Sequence, residues 1–217
     1  MMDSIINLIK SPVIPQVAAF LTIIAIPYAL FKLIFYKAKF KIFFSPKETY
    51  YEVKLLDHPS RPQSYWIHLM AKNRGFEISK NTEAYLTEIW IKNEKGLNYS
   101  RIDEFRAPVK LKWAHEAQIA PVDVLPKHKR RLDVCYICEG EQILRIMAQA
   151  FPSGSIKNEL LPGDYIFIIH VVSDNGLRPA RFLLNISWDG KWRTLKGGNY
   201  VKPFRLTAEP VKSFCIY

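Results

Sequence analysis

The chain has 217 residues, a length that suits one domain with a short additional segment and is short for two independent cores. Its net charge of +11 favours an anionic partner, either lipid headgroups or nucleic acid. Only 9 glycines and 3 cysteines are present, which argues against glycine-rich nucleotide-binding loops and against a disulfide-stapled secreted domain.

The first predicted element is a membrane-spanning helix. Val13 to Phe31 are 19 residues without a charge, and at 1.5 Å per residue they reach roughly 28 Å, close to the hydrocarbon thickness of a bilayer. Gln16 and Thr22 are its only clearly polar side chains, whereas a helix packed on a soluble core would show a polar stripe. We therefore predict two parts: residues 1–36 as N-terminal tail and transmembrane helix, and residues 37–217 as one soluble domain.

Basic residues flank this helix mainly on its C-terminal side. Lys10 precedes the helix and is offset by Asp3. The predicted membrane-surface residues that follow are Lys32, Lys37, Lys39, Lys41 and Lys47. Positively charged flanks are retained in the cytoplasm, so we expect a single-pass protein with a cytoplasmic C-terminal domain. Three cysteines without a pairing framework agree with a reducing compartment.

After the helix, the hydrophobic pattern changes to alternation. Phe40, Ile42 and Phe44 alternate with lysines and predict a first strand. Further strands are predicted at residues 50–55, 64–72, 84–93, 109–113, 122–125, 131–137, 164–173, 181–188 and 200–206. Eight to ten short strands separated by turn residues indicate a mainly β fold, an antiparallel two-sheet sandwich.

The segment Leu161-Pro162-Gly163, which runs into an apolar strand, resembles the late strands of immunoglobulin-like sandwiches. This resemblance is generic to the architecture, so it implies an immunoglobulin-like β-sandwich and no activity.

Two further segments of the domain are a helix candidate and a basic run. Residues 141–151 are the best helix candidate, because Ile143, Leu144, Ile146 and Met147 share a helical face, although an edge strand fits them equally well. The basic run at residues 127–131 is predicted to be a solvated loop.

The sequence shows no recognisable catalytic constellation. Cys135 and Cys138 have the spacing of a metal or redox motif, but residues i and i+3 of a strand point to opposite faces, so buried structural cysteines are predicted. A hydrolase or metalloenzyme would need His58, His115 and Asp133 to converge. We predict no enzyme activity, no cofactor and no metal.

A second basic cluster near the C-terminus is interleaved with aromatic residues. Its candidate anion-binding residues are Lys191, Trp192, Arg193, Lys196, Lys202 and Arg205, with Trp188 and Tyr200 beside them. This composition suits single-stranded nucleic acid, held by phosphate contacts and base stacking. Strand alternation with aromatic residues inside and lysines in water would produce the same pattern.

Two functions fit these features. The leading hypothesis is a membrane-anchored protein whose cytoplasmic sandwich is a non-catalytic protein-interaction or accessory module, with the lipid bilayer and a protein partner or second copy as its contacts. The alternative is a membrane-anchored sensor that binds nucleic acid or an anionic nucleotide through a basic aromatic surface.

Overall fold

A computed structural model describes residues 13–32, 36–44, 50–53, 64–93, 98–105, 107–114, 120–148, 158–191 and 204–209 of the chain. At residues 13–15, 17, 18, 50–53 and 204–209, only the backbone is described. The described elements are one α-helix, a 3₁₀ turn at Asp103–Phe105 and fourteen β-strand segments.

Helix α1 spans Val13–Phe31, the bounds predicted from the uncharged run. Eight large apolar side chains between residues 20 and 31 are 48–69% exposed. Because successive residues are rotated by about 100°, these side chains cover most of the helix circumference and leave no polar face. Within the described residues, no helix is long and apolar enough to cross a membrane; the side chains of residues 13–15, 17 and 18 of α1 lie outside that set. The membrane crossing stays a prediction.

The first sheet contains seven antiparallel strands, which are β1 (Phe40–Phe43), β2 (Tyr50–Val53), β3 (Ser64–Asn73), β7 (Lys112–Trp113), β9 (Lys129–Cys138), β10 (Leu144–Ile146) and β11 (Glu159–Leu160). Their central order is β1-β3-β9-β10-β11. Strand β2 also pairs with β3, and β7 pairs with β9.

The second sheet also contains seven antiparallel strands, which are β4 (Ser79–Lys92), β5 (Tyr99–Arg101), β6 (Val109–Lys110), β8 (Val122–Val124), β12 (Gly163–Val172), β13 (Ala180–Trp188) and β14 (Phe204–Glu209). Their central order is β14-β13-β12-β4-β5. Strands β6 and β8 pair with β4.

The core lies between the two sheets and draws on both. Leu69 of β3 and Phe167 of β12 belong to one cluster and have no exposed surface. Trp113 fills the same core, and its indole N–H donates to the Thr82 carbonyl oxygen at 3.1 Å. Trp188 is also a core residue, 2% exposed, so it is not part of an aromatic surface. The mainly β, sandwich-like architecture is therefore confirmed.

The structure decides between two alternatives and corrects one prediction. Residues 144–146 form strand β10, so the strand alternative is confirmed and the helix is wrong, although β10 lies between β9 and β11 and not at an edge. Leu144 and Ile146 alternate into the core while Arg145 points outward beside Glu141 and Glu159. The basic run at residues 127–131 is only partly a loop, since β9 already begins at Lys129 and pairs there with β3.

Candidate functional site

The chain enters the sandwich through residues 36–39, which the turn between β3 and β4 holds in place. The Glu77 N–H donates to the Tyr36 carbonyl oxygen at 2.8 Å, and the Arg74 N–H donates to the Lys39 carbonyl oxygen at 2.7 Å. Ala38, between them, is 1% exposed. The segment that follows α1 is thus fixed to the domain by backbone hydrogen bonds on both sides of a buried alanine.

Asn73, the last residue of β3, organises this junction from inside. It has no exposed surface. Its side-chain amide donates to the carbonyl oxygens of Glu77 at 2.8 Å and Val124 at 3.0 Å, and its Oδ1 accepts from the N–H groups of Gly75 at 2.9 Å and Lys39 at 3.4 Å. One side chain therefore joins the turn, the start of β1 and the end of β8.

Two glycines allow the backbones to approach closely here. A Cβ on Gly75 would lie 2.1 Å from the Lys37 carbonyl oxygen, a distance that no side chain can occupy. Gly176, in the turn between β12 and β13, forms an isolated parallel bridge with Ala38. The segment after α1 therefore contacts a turn of the second sheet as well as the first sheet.

A cleft of about 570 Å³ opens beside this junction, between β1 and the beginning of β13. We call it the basic cleft. Its lining residues are Ala38, Lys39, Phe40, Lys41, Ile42, Arg74, Leu177, Arg178, Pro179, Ala180, Arg181 and Phe182. Five of these twelve are basic, seven are apolar, and none is acidic.

The basic residues of the cleft differ from other cations of the domain in forming no ion pair with a carboxylate that the structure describes. Elsewhere, Lys110 is paired with Glu83, and Arg145 with Glu141. Within the described part of the chain, the five basic residues of the cleft make no such ion pair. A group of like charges without such partners repels itself and favours the binding of an anion.

The charge of Arg181, a lining residue of the cleft, affects His170, because the two residues are paired across the β12–β13 ladder. Partial burial is the main cause that lowers the pKa of His170 below its usual value. The positive charge of Arg181 lowers this pKa further, and the carboxylate of Glu88 opposes both effects. The neutral imidazole is thus the favoured form in the folded protein.

Apolar side chains are exposed around the same end of the sandwich. Phe76 is 55% exposed, and its ring centroid lies 5.7 Å from that of Tyr36. The ammonium of Lys127 lies 4.1 Å from the Phe76 ring centroid. Leu177, in the cleft lining, is 48% exposed. The end of the domain that is joined to α1 therefore combines basic and apolar groups.

The structure brings together some of the predicted membrane-surface lysines. Lys39 and Lys41 line the basic cleft, whereas Lys37 contributes its carbonyl oxygen to the contact with Gly75. Lys32 is exposed next to the end of α1, and Lys47 lies outside the described residues. No sequence pattern pointed to Arg74, Arg178 and Arg181, because their two segments meet only where turns of both sheets contact the chain after α1.

The predicted C-terminal anion site is not brought together with the cleft. Lys191 is exposed and follows the far end of β13, roughly 30 Å along the strand from Ala180. Arg205 lies on β14, where its backbone pairs with Ser187. Trp192, Arg193, Lys196 and Lys202 lie outside the described residues.

A second polar group is buried in the first sheet, at a bulge where β3 and β9 change register. His68 Nδ1 and Asp133 Oδ1 are 2.6 Å apart, and both residues are below 10% exposed. The Trp66 ring stacks on Tyr136 with centroids 4.6 Å apart. Asp133 thus contacts His68; His58 and His115, its predicted partners, lie outside the described residues.

The cysteines of β9 behave as strand geometry predicts. Cys135 packs in the core, where burial raises the pKa of its thiol, and Cys138 is half-buried on the other face. Burial first, and then the nearby Glu141 carboxylate, raise the pKa of Cys138. Neither thiol is poised as a thiolate. Among the described residues, no three His, Cys, Asp or Glu side chains gather as a metal site requires.

Comparison of the chain with protein-family models, with curated proteins and with solved structures finds no match in any of the three.

Proposed function

We propose that this protein is a membrane-anchored, non-catalytic binding module that works at the cytoplasmic membrane surface. In this proposal α1 is the anchor, the immunoglobulin-like sandwich is the cytoplasmic part, and its basic end faces the bilayer. The observation that carries it is the position of the basic cleft, whose first lining residue, Ala38, follows the uncharged helix after only six residues.

The distribution of apolar residues supports the anchor. A helix with exposed large side chains on most of its circumference has no face to bury against a protein core, and a hydrocarbon phase would cover all of it. The basic residues after the helix would then lie among lipid headgroups, where each contributes about 1 kcal/mol of attraction to an anionic surface.

Alkaline extraction of membranes that contain the full chain tests the anchor. We expect the wild type to stay in the membrane pellet and Leu21→Lys to enter the soluble fraction, since a lysine at the helix centre costs about 2.5–3.5 kcal/mol of insertion. Leu161→Lys is the matched control, because Leu161 is 71% exposed on the sandwich. Release of the wild type, or equal behaviour of both variants, contradicts the proposal.

Protease treatment of oriented vesicles tests the direction of the anchor. The sandwich should be digested only when the cytoplasmic side is accessible. Digestion from the opposite side would place the domain outside and would remove the cytoplasmic part of the proposal.

A sensor for nucleic acid or an anionic nucleotide is the second candidate, and the same five cations favour it. Phosphate binding weakens steeply with salt, because counterions are released on binding. Salt-dependent retention of the full chain on a single-stranded DNA column would support the sensor, and absence of retention at low salt would eliminate it.

A further inference from the structure

The positive charge of the basic cleft favours an anion, and the kinds of side chain in its lining restrict the ligand further. The five basic residues can bind phosphate oxygens, and Arg74, Arg178 and Arg181 can do so with forked hydrogen bonds. The other seven lining residues are apolar. The ligand that matches both the basic and the apolar lining residues is an amphiphile that carries a phosphate beside an apolar part.

A nucleotide matches this lining less well. Base edges are recognised by hydrogen bonds, from Arg or Lys to guanine and from amide or carboxylate side chains to adenine or cytosine, or the bases stack on exposed aromatic rings. The cations of the cleft could therefore bind a guanine edge, but none of the twelve lining side chains carries an amide, a carboxylate or a hydroxyl group for the other bases. The two aromatic lining residues, Phe40 and Phe182, pack against or within the hydrophobic core.

The connection to α1 places the cleft near lipid headgroups. Four peptide steps separate Lys32, at the end of the helix, from Tyr36, and they can span about 14 Å at most. Tyr36 is hydrogen-bonded to the turn that contains Arg74, a lining residue. Phe76 and Leu177 are exposed beside the cleft and would enter the interface between headgroups and acyl chains.

We infer that the basic cleft binds the phosphate headgroup of an anionic phospholipid from the leaflet that α1 enters. The cations of β1 and β13 hold the headgroup, and the apolar lining contacts the glycerol and upper acyl region. The volume of about 570 Å³ is in the range of ordinary ligand pockets. This inference rests on the proposed membrane anchor and adds a specific lipid site to it.

Native mass spectrometry of the full chain tests the inference, with phosphatidylglycerol and phosphatidylcholine offered together in detergent micelles. We expect the wild type to retain phosphatidylglycerol preferentially. Arg178→Gln combined with Arg181→Gln should lower this preference about tenfold or more, because two phosphate-binding cations are lost.

The control is Lys80→Gln combined with Lys191→Gln, which removes the same charge outside the cleft. Lys80 is exposed near the turn that contains Gly176, so it keeps the comparison close to the site. Thermal unfolding by circular dichroism should show that both double variants fold. An equal loss of lipid preference in the control overturns the inference, because it would mark a general charge effect.

Competition identifies the source of the phosphate. Glycerol phosphate, inorganic phosphate and a single-stranded oligonucleotide are added at the concentration of the lipid. Little displacement by all three supports a lipid site, whereas full displacement by a soluble phosphate or by the oligonucleotide overturns it. Equal retention of both lipids by the wild type also overturns it.

The micelle experiment and the extraction experiment test the lipid site and the anchor separately. If the chain is extracted by alkali but still selects phosphatidylglycerol in micelles, the anchor is wrong and the lipid site is supported. If the chain resists extraction and shows no lipid preference, the anchor is supported and the lipid site is wrong.

Discussion

Removal of the Asn73 side chain should loosen the junction between α1 and the sandwich. The side chain makes three hydrogen bonds of 2.8–3.0 Å, to Glu77, Val124 and Gly75, and a longer one of 3.4 Å to Lys39. Each contributes about 0.5–1.5 kcal/mol net, so Asn73→Ala should cost about 3 kcal/mol from the three shorter bonds. That is a large fraction of the 5–15 kcal/mol that stabilises an ordinary domain.

Asn73→Asp separates the two kinds of hydrogen bond. A carboxylate can still accept from the Gly75 and Lys39 N–H groups, but it cannot donate to the Glu77 and Val124 carbonyl oxygens, and its charge would be buried against them. We therefore expect Asn73→Asp to be at least as destabilising as Asn73→Ala above the pKa of the introduced carboxyl.

Urea unfolding of the full chain in detergent, followed by tryptophan fluorescence, measures both losses. Asn185→Ala is the matched control, because Asn185 is half-buried on β13 and its side chain makes no hydrogen bond within the described residues. A loss below about 1 kcal/mol for Asn73→Ala, or one equal to that of the control, would refute this account of the junction.

Three further predictions use the same unfolding measurement. Gly75→Ala should cost more than about 2 kcal/mol because its methyl group would lie 2.1 Å from a backbone oxygen, whereas Gly140→Ala, at φ +80° with open space, should cost only about 1–2 kcal/mol of backbone strain. Equal losses would contradict the crowding. The lowered pKa of His170 means that the unfolded chain binds its proton more readily, so stability should fall as the pH drops below about 6.5; His170→Gln should reduce this dependence, and an unchanged dependence would contradict the assignment. Asp133→Ala should cost about 2–4 kcal/mol by leaving His68 buried without its 2.6 Å contact, and a near-neutral effect would show that the pair is dispensable.

The strands were predictable where a run rich in apolar residues is bounded by turn residues. Strands β3, β12 and β13 begin and end within one or two residues of the predicted ranges, because their apolar runs stop at turn residues. The helix was predictable because no charged residue interrupts the run from Val13 to Phe31. These are local signals, and local signals determine where elements lie.

Partner choice between strands was not predictable from the same signals. Residues 109–113 were expected to form one strand, yet Val109–Lys110 pair with β4 of the second sheet and Lys112–Trp113 pair with β9 of the first. The chain changes sheets at Leu111, which has no exposed surface, and alternation cannot show such a change.

The basic cleft could not be predicted from the sequence for a related reason. Lys39 and Lys41 were predicted as membrane-surface residues because they follow an apolar run. Arg74 and Arg178 stand more than a hundred residues apart and meet only because the turn before β4 and the turn before β13 both pack on the segment after α1. A site made from three distant segments leaves no motif in any of them.

The attachment of Tyr36–Lys39 also has a mechanical consequence. A pull on the chain from the side of α1 would load the carbonyl oxygens of Tyr36 and Lys39 together with the bridge between Ala38 and Gly176. Because these contacts lead into two different sheets, the force would be divided between them before β1 could be peeled from β3. Displacement of Tyr36–Lys39 would consequently be passed to both sheets at once.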